Sequence, residues 1–120
     1  MNINKFTQKS IQAVNDLEKI AYEYGNQEIE EEHLLYCLLN QEDSLILKLI
    51  EKMEINKDEF QRSLIDALNK RPKVSGGQVY IGKDLNRVLV SAEDEAKAMG
   101  DEYVSVEHLF LSLLRYPNAG

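Results

Sequence analysis

Gly25-Asn26-Gln27-Glu28-Ile29-Glu30-Glu31-Glu32-His33-Leu34-Leu35-Tyr36-Cys37-Leu38-Leu39 decides the fold, because a version of it returns 75 residues later. There it stands as Gly100-Asp101-Glu102-Tyr103-Val104-Ser105-Val106-Glu107-His108-Leu109-Phe110-Leu111-Ser112-Leu113-Leu114. Extending the register upstream pairs Glu18 with Glu93 and Ala21 with Ala96. Between Glu18 and Asn40 the identical residues are Glu18, Ala21, Gly25, Glu32, His33, Leu34, Leu38 and Leu39, where chance would give about one or two. Ile29 and Val104 correspond in kind, as do Leu35 and Phe110. The chain is therefore built from two copies of one unit.

Each copy opens with a long amphipathic helix. Phe6, Ser10, Ala13, Val14, Leu17, Ala21 and Tyr24 recur at helical spacing, and so do Leu85, Val88, Leu89, Ala92, Ala96 and Met99. Gly25 and Gly100 stand where a left-handed C′ residue ends such a helix. A second helix follows in each copy. Ser105 is a good N-cap, with Val104 and Leu109 placed as a hydrophobic staple; Ile29 and Leu34 make the same pair around Glu30, a poorer cap. Acidic residues fill both first turns, where the helix dipole favours them. Between the copies, Ser44 caps a helix bearing Leu45, Ile46, Leu49, Ile50 and Met53, and Asn56 with Glu59 starts another bearing Phe60, Leu64 and Leu68. Arg71-Pro72-Lys73-Val74-Ser75-Gly76-Gly77 breaks the pattern.

The expected architecture is all-α: a tandem repeat with pseudo-two-fold symmetry in a single domain over 1–120. Repeat one covers 1–70, a linker 71–83, and a partial repeat two 84–120. The second copy lacks a counterpart of the Ser44–Leu68 helices, an omission expected to leave apolar surface uncovered.

Composition narrows the function. The 120 residues carry a formal charge of -7, which argues against nucleic acid as a partner. The basic cluster Lys70, Arg71 and Lys73 reads as solvated linker. No apolar run approaches the roughly 18 to 20 residues a membrane span needs, and Met1-Asn2-Ile3-Asn4-Lys5 opens no secretory signal. One cysteine, Cys37, excludes an internal disulfide and fits a reducing, cytoplasmic setting. A monomeric helical domain is the expectation.

Several motifs imitate chemistry. Gly77-Gln78-Val79-Tyr80-Ile81-Gly82-Lys83-Asp84 resembles a P-loop but places an aspartate where magnesium requires a hydroxyl. Asp84 reads better as a helix N-cap. His33 and His108 sit at equivalent repeat positions, which suits packing symmetry, whereas zinc wants three or four converging ligands. Cys37 lies among leucines with no base beside it, and the Glu30-Glu31-Glu32 run reads as a solvated helix start. With no nucleophile–base pair, metal spacing or phosphate loop, enzyme chemistry finds no equipment here. No metal and no cofactor are expected in this chain.

The assembled residues resemble the Clp repeat domain at the N-terminus of Clp-family unfoldases, over essentially the whole chain. They are most similar to its ClpB disaggregase branch. Phe6-Thr7, Gly25-Asn26-Gln27-Glu28-Ile29, His33-Leu34, Leu38-Leu39-Asn40-Gln41-Glu42, Ala67-Leu68-Asn69-Lys70-Arg71-Pro72-Lys73-Val74 with Gly76-Gly77, and Gly100-Asp101 with Ser105 and Glu107 carry the likeness. The resemblance implies a tethered, non-catalytic domain that engages unfolded or aggregated polypeptide and passes it to AAA+ rings. ATP and magnesium are implied only for those rings, and cooperation with a DnaK-type chaperone system for the parent. It also implies a peptide groove involving Thr7, Asp101, Glu107 and Leu89, with Ser91 and Glu95 where related sequences carry leucine. Thr7 as an N-cap and Glu107 as a dipole partner are the plain structural alternatives. A neighbouring branch, the protease-linked unfoldases, uses adaptors or phosphoarginine-marked proteins. Here Glu31 and Val106 replace the threonines of that pattern, which weakens phosphate recognition. A purely structural role in parent assembly would predict no binding to unfolded chains.

Overall fold

The computed structural model describes residues 3–116. A short 3₁₀ turn, Ile3–Lys5, leads into six α-helices: α1 Gln8–Glu23, α2 Glu31–Leu39, α3 Leu45–Lys52, α4 Lys57–Lys70, α5 Lys83–Ala98 and α6 Val106–Arg115. The repeat register carries α1 onto α5 and α2 onto α6, and the most extensive packing lies within each copy, between α1 and α2 and between α5 and α6. Repeat one continues into α3 and α4, which pack on α2; α3 also reaches α6. One core joins both copies. Leu17, Leu34, Leu38, Ile46, Ile50, Leu85, Leu89 and Leu109 are all completely or almost completely buried in it.

The helix ends follow the chemistry of the sequence. Ser44 accepts from the Leu47 amide at 3.1 Å, and Asn56 accepts from Asp58 and Glu59 at 3.0 and 3.1 Å. Gly25 and Gly100 adopt φ of +70° and +72°. Each closes a Schellman turn, with Asn26 N bonded to Ala21 O and Asp101 N to Ala96 O, both at 2.8 Å. Asp84 is not the cap of α5. That place belongs to Gly82, and Asp84 lies inside the first turn.

The fold departs from an all-helical one in two short pairings, which tie the repeats together. Strand β1 (Glu28–Ile29) pairs in parallel with β2 (Tyr80–Ile81), matching Glu28 to Tyr80 and Ile29 to Ile81. Phe6 forms a parallel bridge with Val104. Subtracting 75 from Ile81 gives Phe6, and from Val104 gives Ile29, so one pairing is the symmetry mate of the other. The segment entering each repeat's first helix thus pairs with the other repeat's approach to its second helix. Thr7 N donates to Val104 O at 2.9 Å just as Gly82 N donates to Ile29 O at 2.8 Å. The copies are interlocked as well as stacked.

Candidate functional site

The two histidines fill the same structural role in each copy. The amide of Glu30 donates to His33 Nδ1 at 2.9 Å, and that of Ser105 donates to His108 Nδ1 at 2.8 Å. A backbone N–H can only donate, so Nδ1 is the acceptor and the ring proton sits on Nε2. Nε2 then donates to Asn26 Oδ1 at 3.0 Å in repeat one and to Asp101 Oδ2 at 2.8 Å in repeat two. Both ring nitrogens are used, so neither histidine is poised for metal. Burial, with Arg71 adding to it against the opposing pull of Glu32, holds the His33 pKa down to about 4. The ring is therefore neutral. Burial also pushes the Cys37 thiol up to about 12, leaving it inert.

The residues named for a peptide groove divide on placement. Thr7 caps α1: its hydroxyl accepts from Ser10 N at 3.3 Å and lies 3.0 Å from Ser10 Oγ. The Phe6–Val104 bridge then sets Thr7 against the loop between Asp101 and the start of α6. Glu107 is exposed in the first turn of α6, and the Asp101 side chain is half exposed while it holds His108. Thr7, Asp101 and Glu107 therefore share one edge of the molecule. Leu89 does not join them. At 1% exposure it belongs to the core, because the face of α5 that carries it packs inward with Leu85, Val88 and Ala92. Glu95, which stands where related sequences carry leucine, is paired with Arg115.

In the corresponding region of repeat one the structure departs from what the charge pattern implies. Glu30, Glu31 and Glu32 are 4, 5 and 6% exposed and do not form a solvated helix start. The basic linker is not free either. Arg71 is ion-paired with Glu32, and the residues after it lie across the end of α1. Glu30 itself fills the space a side chain at Gly82 would need, since a Cβ there would overlap its carboxyl group. Among the described residues its Oε1 has no hydrogen-bond partner. Burial above all, then repulsion from Glu28, push its pKa up to about 7 against the pull of Arg71. Separately, an apolar groove of about 420 Å³ runs between α2, α3, α4 and α6, lined by Leu35, Met53, Phe60, Leu64, Phe110 and Leu114 among others. The P-loop-like segment supplies β2 and the cap of α5, uses that explain its glycine and its apolar residues without nucleotide.

This fold, with histidine-capped second helices and cross-paired entry strands, is that of a tandem helical-repeat domain. The family model for the Clp repeat (R) N-terminal domain matches residues 5–120, and the chain belongs to that family. It is 45% identical to the chaperone protein ClpB of Nitratidesulfovibrio vulgaris over 122 residues, covering 98% of this chain and 14% of that protein. It is 40% identical to ClpB of Porphyromonas gingivalis over 114 residues, covering 95% of this chain and 13% of that one. The chain thus spans about a seventh of these relatives. Among solved structures, the Hsp104 N-terminal domain from Candida albicans superposes with a TM-score of 0.88 at 20% identity, over 96% of this chain and 77% of that one. A ClpV N-domain in complex with a VipB peptide gives 0.83 at 18%, over 98% and 72%. Among the described residues no helix is long and apolar enough to cross a membrane.

Proposed function

We propose that this chain is the client-binding N-terminal domain of a ClpB-type disaggregase. It engages unfolded or aggregated polypeptide at the Thr7–Asp101–Glu107 edge for delivery to ATP-driven rings of a parent protein, working with a DnaK-type chaperone system in the cytoplasm. The observation that carries the proposal is the Phe6–Val104 bridge, which gathers the start of α1 and the start of α6 around two carboxylates. An unfolded client offers unpaired backbone N–H groups, and exposed carboxylates accept them. The likeness to a ClpV N-domain solved with a peptide agrees with that use of the fold. Such contacts are weak because solvent screens them, which suits a client that must be released.

The test is fluorescence anisotropy of a permanently unfolded, labelled polypeptide against the same chain in its folded form. Binding confined to the unfolded form, and weakened by Asp101→Asn with Glu107→Gln together, supports the reading. Both changes preserve size, and Asn26 shows that an amide still holds the histidine. Equal binding of the folded form, or no loss in the double variant, would reject it.

A further inference from the structure

The two pairings that join the repeats share one geometry but differ where they close. At the Phe6–Val104 bridge that place is filled by two hydroxyls, each held at its own helix start. Thr7 Oγ1 accepts from Ser10 N at 3.3 Å, and Ser105 Oγ lies 3.0 Å from His108 Nδ1. At the β1–β2 pairing the same two places belong to Gly82 and Glu30. The Glu30 carboxyl lies so close to Gly82 that a Cβ there would collide with Oε1. Glu30 is 4% exposed, and among the described residues that oxygen has no hydrogen-bond partner. A carboxyl group is thus packed into one seam where the other seam holds hydroxyls.

The charges around this seam do not neutralise it. On β1, Glu28 accepts from the Tyr80 phenol of β2 at 3.1 Å. In the first turn of α5, Asp84 is paired with Arg87 at 3.3 Å, and Lys83 beside it is exposed. In α2, Glu31 and Glu32 follow, and His33 Nδ1 accepts from the Glu30 amide at 2.9 Å. Burial first, then repulsion from Glu28 and more weakly from Asp84, raise the Glu30 pKa to about 7. Arg71 pulls the other way, but its guanidinium is committed to Glu32. The carboxyl fits the seam as an uncharged acid and is costly there as an anion.

We propose that Glu30 is a proton-operated latch between the repeats: uncharged, it fills the space over Gly82 and keeps β1 on β2; ionised, it leaves for solvent and that pairing opens, while the Phe6–Val104 bridge stays shut. Opening releases Tyr80 N from Gln27 O and Gly82 N from Ile29 O, bonds of 2.9 and 2.8 Å. The Arg71–Val74 end of the linker stays tied to Glu32, Asn26 and Gly25. The latch is independent of the client-binding edge, which is built on the other pairing. Its direction follows from which state holds the proton. Closed, Glu30 titrates at about 7; open and hydrated, it returns to its ordinary 4.5. Opening therefore grows as pH climbs from 4.5 to 7 and levels off above. His33, held down to about 4, is largely neutral through that window, and Tyr80, raised above its ordinary 10.0, keeps its proton.

Amide hydrogen exchange on the 120-residue chain, corrected for the intrinsic pH dependence of exchange, reads the two pairings side by side. Between pH 5 and pH 7 the protection of the Tyr80 and Gly82 amides should fall by more than about tenfold. The Thr7 and Val104 amides should stay nearly level. Unfolding of the whole chain releases His33 together with Glu30, and their opposite shifts largely cancel there. Carboxyl carbon shifts of the same unsubstituted chain should show Glu30 titrating near 7. Glu30→Gln keeps the size and neutrality of the closed latch and should hold Tyr80 and Gly82 protection constant over the range. A Glu30 carboxyl that titrates at its ordinary value, no fall at Tyr80 and Gly82, an equal fall at both pairings, or a fall that survives Glu30→Gln would overturn the latch. The first three need no variant, so they decide the matter even if the glutamine chain does not fold.

Discussion

Glu30 and Gly82 show how a single pair of residues breaks the symmetry of the repeat without breaking the fold. Their counterparts are Ser105 and Thr7. In one copy a small residue sits beside a side chain that caps α1; in the other a long carboxyl occupies the space above a glycine. Gly82→Thr alone should cost more than about 1–3 kcal/mol through overlap with Glu30. Glu30→Ser with Gly82→Thr reproduces the other copy and should recover at least about 1 kcal/mol of that cost in a double-mutant cycle. Strict additivity in urea unfolding would show that the two sites do not share one space. The same carboxyl has a signature in pH. With its native pKa near 7 and its ordinary value at 4.5, Glu30 keeps a proton in the folded state that the unfolded chain has lost, so its contribution to stability falls as pH rises from 4.5 to 7. His33, near 4 against 6.5, runs the opposite way, since the unfolded ring takes up a proton that the native ring refuses. Between pH 4.5 and 6.5 the two oppose each other. Glu30→Gln should therefore expose the histidine, giving a stability that climbs steadily from pH 4 to 6.5 and exceeds the parent's most at pH 8. Superimposable pH–stability curves would contradict this. Little of it was legible in the sequence, where a run of three glutamates ordinarily signals solvent. The available clue was the offset of 75, which lines up a serine with Glu30 and a threonine with Gly82.

At the scale of elements, the helices were readable because apolar spacing, caps and glycine stops agreed. Ser44, Asn56, Gly25 and Gly100 all do what their residue types favour. The strands were not readable: two-residue pairings such as Glu28–Ile29 with Tyr80–Ile81 are too short to show an alternating pattern. Lacking β2, periodicity placed the cap of α5 at Asp84, two residues late. The linker is opaque for a related reason, because nothing in the order Arg71-Pro72-Lys73 reveals a carboxylate waiting in another helix. One helix end is suboptimal. The turn closing α3 resembles the other Schellman turns, with Ile55 N bonded to Ile50 O at 3.3 Å, but its left-handed residue is Glu54 at φ +61°. Glu54→Gly removes that strain and should stabilise the domain by about 0.5–1 kcal/mol, read as a higher urea midpoint at unchanged slope. A lower midpoint would mean that the Glu54 side chain supports the turn in some other way.

For the molecule as a whole, the cross-pairing of entry strands makes the two copies one unit. Phe6 is 4% exposed and lies at the symmetry mate of Ile81, which is 39% exposed, so the bridge to Val104 is the better buried of the two. Phe6→Ala should cost about 3–5 kcal/mol and loosen the Thr7–Asp101–Glu107 edge together with the core. Fast amide exchange confined to Ile3–Lys5 would show instead that the entry strand is peripheral. The duplication itself was plain from the sequence; that each copy completes the other was not, because symmetry in sequence does not state which copy a strand joins. The account stands or falls on where an unfolded chain touches the domain. Residue-resolved amide shifts on adding an unfolded polypeptide should cluster at Thr7, Met99–Asp101 and Ser105–His108, and should be absent with the folded form of the same polypeptide. Shifts confined to the apolar groove around Leu35, Phe60 and Leu114, or spread evenly over the surface, would contradict it.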